Sequence, residues 1–242
     1  MRAFVLAAGL GTRLDHLTSN CPKALVELNG KPLLEHIITR LVGFGFTEIV
    51  VNVHHYAEQI VSFLDAHSFG ASIKISDESA KLLDTGGAIL KAKPFLMGNE
   101  PFLVHNVDII SNINLAQLMD YHLHSNPLAT LAVGDRYSSR KLLFDNSMNL
   151  WGWKNIITGE TKMPRKTDCE LIEMAFSGIH VVSPDFFKNV KSSGVFPIIS
   201  EYLELSKTQS ILGFNTTNNF IIDAGKIENL DLASNFLKVH SR

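Results

Sequence analysis

The sequence predicts an α/β fold: a doubly wound, mostly parallel, Rossmann-like sheet with helices on both faces and a small inserted subregion. Three observations carry this. Short apolar runs of strand length alternate with segments of helical periodicity over roughly the first 135 residues. The texture then changes from residue 138 onward to short strands and polar turns, as in "RKLLFDNSMNLWGWKN". The first apolar run, "RAFVLAA", dissolves into glycines and an arginine, as strands do where open sheets of this class hold their ligands.

Element by element, "RAFVLAA" is the first strand. "KPLLEHIITRLVGFG" sets Leu33, Leu34, Ile37, Ile38, Leu41 and Val42 on one helical face, with Gly43 and Gly45 as stop signals. "TEIVVNVHH" is a strand, "AEQIVSFLDAH" a helix and "ASIKISDE" an alternating strand. "GGAILKAKPFL" reads as a helix closed near Pro94, because proline interrupts the hydrogen-bond ladder. "PFLVHNVDII", "LAQLMDYHLHS" and "ATLAVGD" continue as strand, helix and strand. In the second half, "ITGETKMPRKTD" is expected to be a mobile loop and "AFSGIHVVSP" a strand. "PDFFKNV" and "FPIISEYLELSK" read as helices, "SILGFN" and "NNFIIDAG" as strands, and "IENLDLASNFLKVH" as a final helix. One domain is expected over 1–242, with a nucleotide-binding half at 1–135 and a second half at 136–242 that ends in the helix.

Composition narrows the function classes. The 242 residues are 45% hydrophobic and 19% charged with a net charge of −2, which suits a large core and gives no electrostatic footprint for nucleic acid or a polybasic membrane anchor. Any polyanion handled must be small and locally bound. Cys21 and Cys169 are the two cysteines, too few and too far apart for a disulfide framework or a zinc site. No segment approaches the ~18 apolar residues of a membrane span, and no signal-peptide pattern opens the chain, so a cytoplasmic protein is expected.

The chemistry concentrates at the end of the first strand. Leu6, Ala7, Ala8, Gly9, Gly11, Thr12 and Arg13 form a turn in which the glycines tolerate positive φ and expose N–H groups to an anion. Ala7 and Ala8 leave room for a flat base, and Arg13 offers a fixed charge with a fork of donors. The spacing is neither that of the dinucleotide fingerprint nor that of the P-loop. Lys23, in "PKALVELNGKPLLEH", adds a second cation. Asp108 closes "PFLVHNVD" at a strand's carboxyl end, and Asp223 stands similarly in "FIIDAG".

The series "LAAGLGTRL…PKALVELNGKPLLEH", together with "LLDTGGAI", "FLVHNVDI", "FSGIHVVSP" and "FIIDAGKIENL", resembles the sugar-1-phosphate nucleotidyltransferases. In length and texture it is most similar to the short members that uridylylate N-acetylmuramate 1-phosphate or guanylylate mannose or heptose 1-phosphate. The resemblance implies a Mg2+-dependent enzyme that joins a nucleoside triphosphate, UTP or GTP, to a sugar 1-phosphate. Arg13, Lys23 and Asp108 would be its catalytic residues: Arg13 on the departing phosphates, Lys23 between the α-phosphate and the sugar phosphate, Asp108 and Asp223 on the metal. It places Gly86 and Gly87 against the nucleotide, with free N–H groups at a helix start, and Asn106, Ser177 and Gly178 beside the sugar, the last two in the inserted sugar-binding subregion.

Departures from the family pattern are Val107, where many relatives have glycine, and the lack of a Glu-Lys-Pro signature near Lys154. No acetyltransferase repeat is expected after Leu237. Guanylyl transfer, cytidylyl transfer to a phospho-alcohol and a non-catalytic sugar-nucleotide sensor stand as alternatives to uridylyl transfer. A dinucleotide-dependent oxidoreductase is disfavoured by the glycine spacing. Monomer and dimer are both compatible with the sequence. His54, His55, His105, His122 and His124 are read as structural histidines, and Trp151 and Trp153 as packing for the inserted strands.

Overall fold

The fold is described from a computed structural model over residues 1–240, without the side chains of Asp15 and His240; Ser241 and Arg242, within the expected 1–242 domain, lie outside the described residues. The first half comprises β1 (Arg2–Leu6), β2 (Glu27–Leu28), β3 (Lys31–Pro32), α1 (Leu33–Gly43), β4 (Glu48–Val53), α2 (Ala57–Asp65) and β5 (Ser72–Asp77). There follow α3 (Asp84–Lys91), α4 (Lys93–Leu96), β6 (Phe102–Asn106), β7 (Ile109–Ser111), α5 (Leu115–Ser125) and β8 (Ala129–Gly134). The second half comprises β9 (Arg140–Phe144), β10 (Leu150–Asn155), β11 (Thr161–Lys162), β12 (Ile172–Val182), α6 (Phe186–Asn189), α7 (Ile198–Leu205), β13 (Ile211–Asn215), β14 (Ile221–Asp223) and α8 (Leu230–His240).

The central sheet runs β11-β10-β9-β12-β6-β1-β4-β5, with β8 and β13 branching from β12. It is parallel across β5, β4, β1 and β6, and antiparallel from β6 through β12 to β9, β10 and β11. The chain leaves β1 toward β4 on one side and later places β6 on the other, so the carboxyl end of β1 is the switch point where doubly wound sheets open a crevice.

Strand periodicity explains why both faces carry helices. Ala3, Val5, Ile49, Val51 and Leu103 belong to one buried cluster with α1, α2, α5 and α8. Their neighbours Phe4, Val50, Phe102 and Val104 belong to another with α3, α4, α6 and α7. Successive side chains point to opposite faces, so a strand covered twice must be apolar at every position. Each fully buried Phe or Leu contributes about 1.5–3 kcal/mol relative to exposure.

The α1 stripe is buried as expected at Leu33, Leu34, Ile37, Ile38 and Leu41, with Val42 packed at its margin. α5 starts where Asn114 caps it, the side chain accepting from the Gln117 N–H, and stops at Asn126, which takes the left-handed conformation. Among the described residues no helix is long and apolar enough to cross a membrane.

Several boundaries differ from expectation. Pro94 opens α4 instead of closing the preceding helix, because the first turn of a helix needs no N–H from it. The run "PFLVHNVDII" is two strands broken at Val107 and Asp108, and β11 lies inside the segment expected to be a loop. β12, expected from Ala175, begins at Ile172.

Candidate active site

Two local devices deliver charge to the switch point. After β1 the chain turns at Gly11, whose φ of 71° favours glycine, and enters a 3-10 segment, Thr12–Thr18, carrying Arg13. A Cβ on Gly11 would also meet Thr18 Cγ2 at 2.8 Å and Lys23 Cβ at 3.0 Å, so the turn and the Lys23 side chain approach closely only because glycine stands there. On the other side of β1, β6 ends at Asn106 and the break at Val107 turns Asp108 toward the crevice. The short ribbon of β7 and β14 then brings Asp223 opposite Ile109, and the Ala224 N–H donates to the Asp108 carbonyl at 2.8 Å.

The four expected charged side chains meet. Lys23 Nζ donates to Asp108 Oδ2 at 2.8 Å, and Arg13 Nη1 donates to Asp223 Oδ2 at 2.9 Å. Arg13 Nη2 lies 3.8 Å from Asp108 Oδ2, which ties the two pairs together. The Asp108 side chain is 6% exposed and that of Lys23 13%, whereas that of Arg13 is 54% exposed. Burial lowers the Arg13 pKa, but its hydrogen bond to Asp223 and the charges of Asp223, Asp108 and Glu228 outweigh this and hold it above the usual arginine value.

Behind the glycine turn lies a buried clamp. Asn52 Oδ1 accepts from the N–H groups of Ala7 and Ala8 at 2.6 and 3.2 Å, and Asn52 Nδ2 donates to Glu78 Oε1 at 2.8 Å. Glu78 Oε2 accepts in turn from the Leu83 N–H at 3.1 Å. One chain of bonds therefore joins β1, β4 and the entry to α3. Both polar side chains are almost wholly buried, where a lost partner is expensive.

The crevice has two compartments. The first, about 410 Å³, is lined by Ala8, Gly9, Arg13, Lys23, Glu78 and Asp108 among others. The second, about 460 Å³, is lined by Arg140, Leu142, Trp153, Lys162 and the start of α7. Leu6, Asp84, Thr85 and Asn106 line both and form the neck between them.

A model of the nucleotidyl transferase family matches residues 2–141, more than half of the chain. The chain belongs to the nucleotidyl transferase family. It is 32% identical over 197 residues to the N-acetylmuramate alpha-1-phosphate uridylyltransferase of Neisseria meningitidis serogroup B, a match spanning 81% of this chain and 80% of that protein. It is 46% identical over 111 residues to the protein of the same name from Caulobacter vibrioides, spanning 45% of this chain and under half, 46%, of that one. Among solved structures, HddC from Yersinia pseudotuberculosis superposes with a TM-score of 0.78 at 22% identity, covering 98% of this chain and 99% of that one, which establishes a shared fold.

The remaining expected residues fall into three groups. Leu6, Ala8, Gly9 and Asn106 line the first compartment, while Ala7 acts through its N–H on Asn52. Thr12, Gly11, Ser177 and Gly178 line neither. Ser177 is buried, and Gly178 sits behind Asn106 in a bulge of β12 with φ of 73°, where a Cβ would lie 2.8 Å from Asn106 Nδ2. Gly86 and Gly87 do not present free N–H groups: both donate to the Phe196 carbonyl, at 2.9 and 3.3 Å. Their small size instead lets α3 pack on the segment before α7, since a Cβ on either would collide with Phe196 or with the Gly194 carbonyl.

Sequence reasoning missed Asn52, Glu78, Asp84 and Gly225. Asp84 is a non-glycine residue at φ of 60°, and its Oδ1 accepts from the Thr85 N–H at 2.6 Å, an uncommon backbone geometry at the neck of the crevice. Gly225 lies against the acids: a Cβ there would be 2.5 Å from Asp108 Oδ2 and 2.9 Å from Asp223 Oδ1. Its only signal was its place in the "DAGK" pattern around Asp223. Of the two tryptophans, Trp151 donates its indole N–H to Asp145 and lies under Arg165, while Trp153 packs against the core as expected and also lines the second compartment.

Proposed function

We propose that the chain condenses a nucleoside triphosphate with a sugar 1-phosphate to give a nucleotide sugar and pyrophosphate, with UTP and N-acetylmuramate 1-phosphate as substrates. The observation that carries the reaction class is the convergence of Arg13, Lys23, Asp108 and Asp223 where a nucleotide-sized compartment opens into a second one. The substrate pair follows the two relatives described above.

The reaction brings two anions together. An oxygen of the sugar phosphate attacks the α-phosphorus of the triphosphate; the new P–O bond forms as the bond to the β-phosphate bridging oxygen breaks, and pyrophosphate leaves with that electron pair. The attacking phosphate is already ionised, so no general base is needed, and positioning and neutralisation do the work. At 4 Å, two unit like charges repel by about 4 kcal/mol at an effective dielectric of 20. Lys23, buried between the compartments' acids and the glycine turn, is placed to hold the α-phosphate and the sugar phosphate together. Arg13, more exposed, suits the departing phosphates.

Asp108 and Asp223 suit Mg2+: their Oδ2 and Oδ1 atoms both crowd the place where a Cβ on residue 225 would stand, which only glycine leaves open, and they offer the hard oxygen donors that this ion takes. Bound there, Mg2+ would neutralise phosphate charge. The four side chains sum to zero charge, so they alone cannot balance a triphosphate. A soluble enzyme of the cytoplasm is the setting we propose.

The test is a matrix of nucleoside triphosphates against sugar 1-phosphates with Mg2+, read by pyrophosphate formation. Turnover is expected with UTP and N-acetylmuramate 1-phosphate. Turnover confined to GTP with mannose or heptose 1-phosphate would overturn the substrate assignment, and none with any pair would overturn the reaction.

A further inference from the structure

The second compartment carries more positive charge than a neutral sugar requires. In the β9-β10-β11 ribbon, Trp153 stands opposite Leu142 on one side and Lys162 on the other, and Arg140 lies two residues from Leu142 on the same strand. Side chains two apart on a strand, and directly opposed across strands, share a face. The register therefore sets Arg140, Leu142, Trp153 and Lys162 on one face, and all four line the compartment. Lys162 Nζ sits 5.1 Å from the centre of the Trp153 ring.

Neither cation is tied down. Among the described residues Arg140 has no acidic partner, and the acid paired with Lys162 is Glu160 at 3.4 Å, with both side chains more than half exposed; the other contact of Lys162 is the Trp153 ring. Such exposed pairs are worth about 1 kcal/mol or less, so Lys162 is free to turn to a ligand. The one acid lining the compartment, Asp84, lies at the neck, and its Oδ1 is engaged by Thr85.

With its 1-phosphate at Lys23, a sugar passing the neck at Asn106 and Thr85 would turn its substituents far from C1 toward this ribbon. We propose that Arg140 and Lys162 select a sugar 1-phosphate bearing a second negative group, a carboxylate, while Trp153 supplies the apolar surface for the ring. Arg140 pairs with the carboxylate through its planar fork of donors, and Lys162 adds a mobile point charge. This rests on the reaction proposed above and makes its substrate class specific: N-acetylmuramate carries a lactyl carboxylate that N-acetylglucosamine lacks.

The experiment compares these two sugar 1-phosphates in the parent chain, Arg140→Gln and Lys162→Gln, by kcat and KM with UTP and, independently of turnover, by calorimetric binding. Both substituted side chains are exposed, so folding should be retained. The parent is expected to prefer the acidic sugar at least tenfold in binding and in kcat/KM. Arg140→Gln should cut that preference about tenfold, chiefly through KM, and Lys162→Gln by less. A parent that binds both sugars equally, or variants that weaken both in equal proportion, would overturn the inference even if pyrophosphate is formed. Acid-selective binding without turnover would instead sustain the inference and defeat the proposed reaction.

Discussion

Replacing Gly225 with alanine adds one methyl group where the site has no room for it. A Cβ there would stand 2.5 Å from Asp108 Oδ2, 2.9 Å from Asp223 Oδ1 and 3.1 Å from Arg13 Nη2, whereas such contacts are essentially never closer than 3.0 Å. The Asp108 oxygen must therefore retreat by at least half an ångström. It is 6% exposed and held by Lys23 at 2.8 Å, so it cannot swing away freely and must carry the cation with it. A displacement of about 1 Å in a reacting constellation can lower rates by about 10²-fold, so half that distance corresponds to about tenfold, or about 1.4 kcal/mol of activation free energy. Gly225 is not among the glycines with positive φ, so alanine brings little backbone strain and the fold should hold. The assay is kcat for pyrophosphate release at saturating substrates, with thermal unfolding as the control. A fall of about tenfold or more with little change in Tm is expected. Unchanged kcat would refute the claim that Asp108, Asp223 and Arg13 act as one unit around this residue.

Three further predictions follow from other contacts. Asp108→Asn removes the charge that holds Lys23 and one of the two candidate metal oxygens, and kcat should fall about 10²–10³-fold; activity equal to the parent's would refute the assignment. Asn52→Ala leaves the Ala7 and Ala8 N–H groups and the buried Glu78 carboxyl short of a partner, costing about 1–3 kcal/mol for each group left unsatisfied. Thermal unfolding should show the loss, and KM for the nucleotide should rise. Burial holds His105 and His180 down to about pKa 3 and His122 to about 4, against 6.5 for a free histidine. The unfolded chain then binds more protons than the folded one below pH 6.5. Stability is therefore complete above that value and falls as the pH drops toward 4 and 3. From pH 7 to 5 each histidine removes about 2 kcal/mol, measurable by urea unfolding; a flat profile over that window would contradict their burial as neutral rings.

What could be read from the sequence was what depends on local pattern. α1 followed from its apolar stripe and β1 from its unbroken hydrophobicity, and the meeting of Arg13, Lys23, Asp108 and Asp223 was expected from charges at strand ends and beside a glycine turn together with the family resemblance. Long-range partners left no such trace. Asn52 and Glu78 are single polar residues in and just after strands, and only pairing between β1, β4 and β5 reveals that they meet. A glycine pair at a helix start signals anion binding and close packing alike, and the Phe196 carbonyl, which takes both N–H groups of Gly86 and Gly87, removes the free donors expected there. The face shared by Arg140, Trp153 and Lys162 depends on the register of β9, β10 and β11, and the last of these lay within a segment expected to be a loop.

The most direct test of the central claim is a diffraction experiment on crystals soaked with a non-hydrolysable UTP analogue and Mn2+, the metal located by its anomalous signal. The account predicts a peak between Asp108 and Asp223, phosphates against Arg13 and Lys23, and the base beside Ala8. A nucleotide bound away from these four side chains, or a metal peak elsewhere, would contradict it.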